Sequence, residues 1–139
     1  MKNKGVKKLA WQWLEKGNHD LEDAKKLFKN EGYPDTICYH CHQAAEKYLK
    51  GFLIFNNVNF RKIHDLVILL EDCHRINNGF KTIFDNCKRL NKYYIEARYP
   101  AETPILYSKE EVKEALMEAE KILDFIAEKI STRPVLSNH

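Results

Sequence analysis

Two sets of residues in this chain have types and spacings that could do chemistry. His40, Gln43, Glu46, Lys47 and Lys50 recur at three- and four-residue steps, so a helix would carry them on one ridge. A Gln able to hydrogen-bond a base or ribose, beside two Lys able to donate to phosphate oxygens, makes a nucleotide-binding set. The same residues also make an ordinary solvated face, with Glu46 and Lys50 paired across one turn for only about 0.2–0.5 kcal/mol. Tyr94, Arg98 and Tyr99 form the second set. A step of four stacks Tyr94 and Arg98 on one side of a helix's last turn. There Arg98 could grip a phosphate in bidentate fashion, and Tyr99 could stack on a base or carry a modified hydroxyl. The plainer reading has Arg98 capping the last carbonyls and complementing the helix dipole.

His64-Asp65 stands where a helix should start. A capping pair explains it, and a supporting role, orienting a loop over a ligand cleft, is the alternative. Cys38-Tyr39-His40-Cys41-His42 has some of the spacing of a zinc site. Both cysteines are also needed by an apolar stripe, however, and no second ligand pair occurs elsewhere in the chain. They are expected in a core, with no metal and no cofactor.

These residues need helices to place them. From Asp35 to Asn57, the residues Ile37, Cys38, Cys41, Ala44, Ala45, Tyr48, Leu49, Phe52 and Leu53 make a broad apolar stripe opposite the polar ridge. Asp35 is the expected N-cap of this central helix. A first helix is predicted over about 6–30, with Gly17 marking a kink or a tight helix contact, and Gly32 and Pro34 ending it. A loop over 56–62 leads to a short third helix opening at His64-Asp65-Leu66. A fourth is predicted over about 80–97, stopped by Pro100. Ser108 with Glu111 fits a capping box for the last helix. The expectation is all-α: an up-and-down bundle of about five helices, forming one domain over 1–130, with a frayed tail at 131–139.

Composition agrees and excludes little else. A chain of 139 residues is large enough for one real core, and few Gly and Pro among many Lys and Glu favour helices. A net charge of +3 is too mild to indicate nucleic-acid binding by itself. No apolar run approaches the ~20 residues of a membrane span, and the N-terminus lacks the apolar stretch of a signal peptide. A cytoplasmic chain with reduced thiols and no membrane contact is the simplest expectation.

Taken together, four blocks resemble the HEPN (higher eukaryotes and prokaryotes nucleotide-binding) domain. They are Trp13 with Asp20-Leu21 and Ala24; Gln43-Ala44-Ala45-Glu46-Lys47-x-Leu49-Lys50; His64-Asp65-Leu66; and Tyr94-x-x-x-Arg98-Tyr99-Pro100. They fall in that family's order over roughly residues 6–130. The resemblance implies a compact helical bundle, a homodimer, and association with a minimal nucleotidyltransferase, often as a toxin–antitoxin pair. Such partners can transfer nucleotides to a HEPN tyrosine. It also implies nucleotide or RNA ligands, with Gln43, Lys47, Lys50, Arg98 and Tyr99 as binding residues supported by Glu46, His64, Asp65 and Tyr94.

Many relatives are metal-independent ribonucleases whose signature is an Arg followed four to six residues later by a His. Here no His follows Arg98 at that distance, and Arg61 precedes His64 by three positions. Arg133 and His139 fit the spacing only in the tail, with Pro134 between them. The nucleotide-binding branch, without turnover of its own, therefore fits the residues better. A ribonuclease toxin that recruits His64 or His40, and a non-catalytic dimerisation scaffold, are the alternatives.

Overall fold

The structure, a computed structural model, describes residues 4–101 and 105–131. Of the predicted tail, Ser131 is instead the last residue of the final helix, and residues 132–139, including Arg133 and His139, lie outside the described ones. Among the described residues every regular element is helical. The order is α1 (Lys4–Lys29), α2 (Pro34–Phe55), α3 (Leu66–His74), a 3-10 turn (Asn78–Ile83), α4 (Phe84–Asn91), α5 (Tyr93–Glu96) and α6 (Lys109–Ser131). With the turn, α4 and α5 taken as one segmented element, these are the five helices of the bundle. None of them is long and apolar enough to cross a membrane.

The central position falls to α2, which packs against α1, α3, α4, α5 and α6. Its stripe explains this, because Ile37, Cys38, Cys41, Ala44, Ala45, Leu49 and Leu53 are all nearly or wholly excluded from solvent. Helix α1 approaches it closely, at Gly17 on its own side and at Gly51 on α2. A Cβ at Gly17 would lie 2.7 Å from Tyr48 Cδ1 and 3.1 Å from the Ala44 carbonyl oxygen. Gly17 therefore marks a tight helix contact. Tyr48 uses the same approach to donate from its hydroxyl to Asn18 Oδ1 at 2.7 Å.

Three local expectations need correction. Asp35 is not the N-cap of α2: Tyr33 occupies that position, Pro34 opens the helix, and Asp35 lies in the first turn. Proline suits this place because its missing N–H would have no intrahelical partner there. At the end of α1, Glu31 takes the left-handed backbone conformation (φ 56°) and not Gly32. The bonds Glu31 N to Phe28 O and Gly32 N to Leu27 O close the turn. Gly32 is instead required by contact, since a Cβ there would lie 2.9 Å from the Leu27 side chain. The third correction is that the continuous fourth helix is broken. Asn77 caps the 3-10 turn by accepting from Gly79 N, and the Asn91 side chain, at the α4–α5 break, accepts from Leu66 N at 2.7 Å.

The last helix starts as expected, with Ser108 Oγ accepting from Glu111 N at 3.1 Å. The Glu111 carboxylate itself turns to Tyr93 and Lys92. Val112, Ala115, Ala119, Ile122, Leu123 and Ile126 close the core.

Candidate nucleotide-binding face

The polar ridge of α2 is covered by the chain that follows it. After α2, Asn57 adopts a left-handed conformation (φ 62°), and Val58 N donates back to Leu53 O, so the chain reverses over the helix. Phe60 then lies against Trp13 and over Lys50, whose ammonium is 4.9 Å from the Phe60 ring centroid and 5.9 Å from that of Trp13. Four residues on, His64 reaches Glu46. Glu46 and Lys50 are each only 4% exposed as a result. The Glu46 carboxylate accepts from Lys50 Nζ at 2.9 Å, from His64 Nδ1 at 3.1 Å and from Gln43 Nε2 at 3.4 Å. A buried carboxylate with three donors around it is satisfied, as burial requires.

Beneath this cluster lies His42, completely excluded from solvent. Its Nε2 is 3.0 Å from the His64 carbonyl oxygen, which can only accept, so Nε2 carries the proton. Nδ1 is then left to accept from Gln43 Nε2 at 3.2 Å. Burial holds the His42 imidazole down from the ordinary 6.5 to about 4, against the opposing pull of the Glu46 charge.

Lys47 points the other way, into an ion pair with Asp20 of α1, which also accepts from His40 Nδ1 at 3.1 Å. Burial alone would raise the Asp20 pKa, but hydrogen bonds from His40 and Lys47, and their charges, leave it lowered.

Arg98 behaves differently. It lies just beyond α5 and packs its guanidinium over Tyr94 (4.9 Å to the centroid), Tyr99 (5.1 Å) and Tyr39 (5.7 Å), with no carboxylate paired to it among the described residues. Tyr94 in turn stacks on His64, with centroids 4.3 Å apart and planes 12° from parallel. A ladder thus runs from Tyr39 through Arg98 and Tyr94 to His64, and ends on Glu46. Asp65 caps α3, accepting from Val67 N and Ile68 N, and receives Asn91 Nδ2 at 3.1 Å. That is the capping role and also a support, because it fixes the residue next to His64.

The expected residues therefore meet, but not as a hollow lined by three free cations. Lys50 is neutralised by Glu46 and Lys47 by Asp20, while Arg98 presents its charge outward. Tyr99 is 53% exposed and available for stacking. Sequence reasoning missed Tyr39, Asp20 and Phe60 as parts of this face. Tyr39 had a signal, since the ridge continues one step N-terminally through 39, 43, 46 and 50. The partnerships of Asp20 and Phe60 arise only from the fold.

The four cysteines are buried and free, as the apolar stripe predicts for Cys38 and Cys41. Burial pushes the Cys38 thiol up to about 12 and raises the other three as well. Among the described residues no group of three or more His, Cys, Asp or Glu could hold a metal ion. A roomier cavity of about 610 Å³ lies at the α1–α2 turn, lined by Phe28, Ile37 and Val112 among others, and contains none of the predicted site residues.

This helical bundle belongs to the HEPN domain family, whose model matches residues 10–130. Among curated proteins it is similar to Putative toxin MJ1304 of Methanocaldococcus jannaschii, 30% identical over an alignment 146 positions long, gaps included, that spans 92% of this chain and 95% of the relative. Two crystal structures share the fold. TT1696 from Thermus thermophilus has a TM-score of 0.77 at 34% identity, over 86% of this chain and 97% of its own. ST0689, an archaeal HEPN homologue, has a TM-score of 0.72 at 25% identity, over 94% and 99%.

Proposed function

We propose that this HEPN domain binds a nucleotide, or a nucleotide-bearing RNA end, on the Arg98 face. It would act as the binding partner of a minimal nucleotidyltransferase in a toxin–antitoxin-like pair, as a homodimer in the cytoplasm and without turnover of its own. The observation that carries the reading is Arg98: an outward guanidinium among three tyrosine rings offers a phosphate contact beside surfaces on which bases stack. The likeness to a relative named as a toxin supports the pairing. Gln43, Glu46 and Lys50 hold His64, and Asp65 and Tyr94 hold the ladder in place. The test is a nucleotide titration of the wild type, Arg98→Ala and Lys47→Ala. Arg98→Ala should lose binding, whereas Lys47→Ala, which breaks a contact with α1, should weaken it only slightly. Negligible binding by the wild type would discard the site. Co-purification with the product of a neighbouring nucleotidyltransferase gene tests the partnership.

One observation favours a second reading. His64 has a side chain 47% exposed, with Nδ1 held by Glu46, so its other nitrogen is the one left to exchange protons. A metal-independent ribonuclease using His64 would cut RNA in the presence of a chelator, and His64→Ala would abolish the cleavage.

A further inference from the structure

The cavity of about 610 Å³ at the α1–α2 turn shares no residue with the ladder around Arg98, and it has a chemistry of its own. Three helices wall it. The end of α1 supplies Phe28 and Lys29, the start of α2 supplies Pro34 and Ile37, and the start of α6 supplies Lys109 and Val112. Its floor is apolar. Ile37 and Val112 are buried, whereas Phe28 is only partly covered and Pro34 is exposed, so apolar surface is left for a ligand to cover. The bond from Gly32 N to Leu27 O holds the turn between α1 and α2, so this wall is formed before anything binds. The rim is charged. Lys29 and Lys109 have no carboxylate paired to them among the described residues, unlike Lys25, Lys47, Lys50 and Lys92. Glu31 is the one carboxylate in the lining among those residues. The positive ends of α2 and α6 add little, because Asp35, Glu110 and Glu111 stand in their first turns. Two ammonium groups against one carboxylate leave one positive charge in excess beside an apolar floor.

We propose that this cavity is a ligand site independent of the Arg98 face, taking a small amphipathic monoanion. The ligand is an acyl or aryl carboxylate whose apolar body covers Phe28 and Pro34 and reaches Ile37 and Val112, with its carboxylate at the rim that carries Lys29 and Lys109. The volume falls in the range of small-molecule pockets, about 300–1,000 Å³. Walls from three helices suit a compact ligand, where an extended peptide needs a continuous groove or sheet edge. The charge balance separates the carboxylate from two neighbouring classes. A cationic amphiphile would meet two lysines, and a dianion such as a phosphate monoester would meet Glu31 with no third cation in the lining to offset it.

The experiment titrates acetate, octanoate, octylamine and octyl phosphate against the full chain, below the concentrations at which these chains form micelles, and reads amide shifts by NMR and heats by calorimetry. Octanoate should shift the amides of Gly32, Ile37 and Val112. It should bind roughly tenfold or more tighter than acetate, from about two- to fourfold per buried methylene. Octylamine should bind roughly tenfold more weakly than octanoate, and octyl phosphate no more tightly than octanoate. Lys29→Gln and Lys109→Gln, both at exposed positions, should each weaken octanoate roughly threefold. Lys16→Gln removes the same charge about 20 Å along α1 from residue 29 and should change nothing. Glu31→Gln should tighten octyl phosphate roughly twofold or more. Octylamine binding as tightly as octanoate, or octanoate affinity unchanged in both Lys29→Gln and Lys109→Gln, would reveal an unselective apolar surface and overturn the assignment. So would octanoate shifts confined to other parts of the molecule, or no octanoate binding at all.

Discussion

The imidazole of His42 should make this protein lose stability on mild acidification, by an amount that can be worked out. In the fold the ring is neutral, donating from Nε2 to the His64 carbonyl and accepting at Nδ1 from Gln43, with its pKa held near 4 by burial. In the unfolded chain it returns to the ordinary 6.5. Between those values the unfolded chain binds the extra proton, so stability rises with pH. The contribution is fully present above 6.5, drains away as the pH falls towards about 4, and is level below that. The whole shift corresponds to about 3 kcal/mol, of which about 2 kcal/mol falls between pH 7 and pH 5. Urea unfolding at several pH values in that window measures it. His42→Gln keeps a side-chain donor but cannot titrate, so it should be about 1–2 kcal/mol less stable at pH 7 and show a flatter pH profile. Parallel profiles for the wild type and His42→Gln would refute the argument, because the acid sensitivity would then arise elsewhere.

Lys50→Met, which leaves Glu46 buried without its cation, should lower stability by about 3 kcal/mol in urea unfolding at neutral pH, far more than an exposed pair at i,i+4 would. Gly17→Ala should destabilise by about 1–2 kcal/mol in thermal unfolding even though alanine favours helix, because its Cβ would meet Tyr48 and the Ala44 carbonyl. Asn57→Ala should cost about 1 kcal/mol through the left-handed backbone at that position, while Asn57→Gly stays close to the wild type; equal losses for both would remove the conformational explanation.

Much of the bundle could be read from the chain. The apolar stripe of α2 is the core stripe, Leu66, Leu69, Leu70 and Cys73 share the buried face of α3, and Ser108 caps α6. These features depend on local periodicity and capping, which a sequence carries directly. The break at Asn91 was not legible, because it depends on a side chain bonding outside its own helix, to Leu66 N and Asp65, in a run that otherwise reads as helical. The site divides in the same way. Arg98, Tyr94 and Tyr99 were identifiable from a helix-end spacing, and they do lie together. The ridge of α2 was ambiguous between solvent and site, and it is neither in simple form. Whether Glu46 faces water depends on where residue 64 goes, and that depends on the turn at Asn57 and on Phe60 finding Trp13.

This dependence on the α2–α3 connection bears on how the face is built. An exposed Glu46–Lys50 pair would contribute a few tenths of a kcal/mol and fix nothing. Covered by Phe60 and His64, the same pair becomes a buried anchor with directional bonds, and it holds a histidine ring parallel to Tyr94. Tyr94 then supports Arg98, so the orientation of the outermost cation is set through three contacts by a carboxylate on the central helix. Positioning falls to the ridge, and contact with the proposed ligand would fall to the residues at the end of α5. The same division accounts for the modest charge of the face: the lysines that would have made it strongly electropositive are the ones used to hold it together.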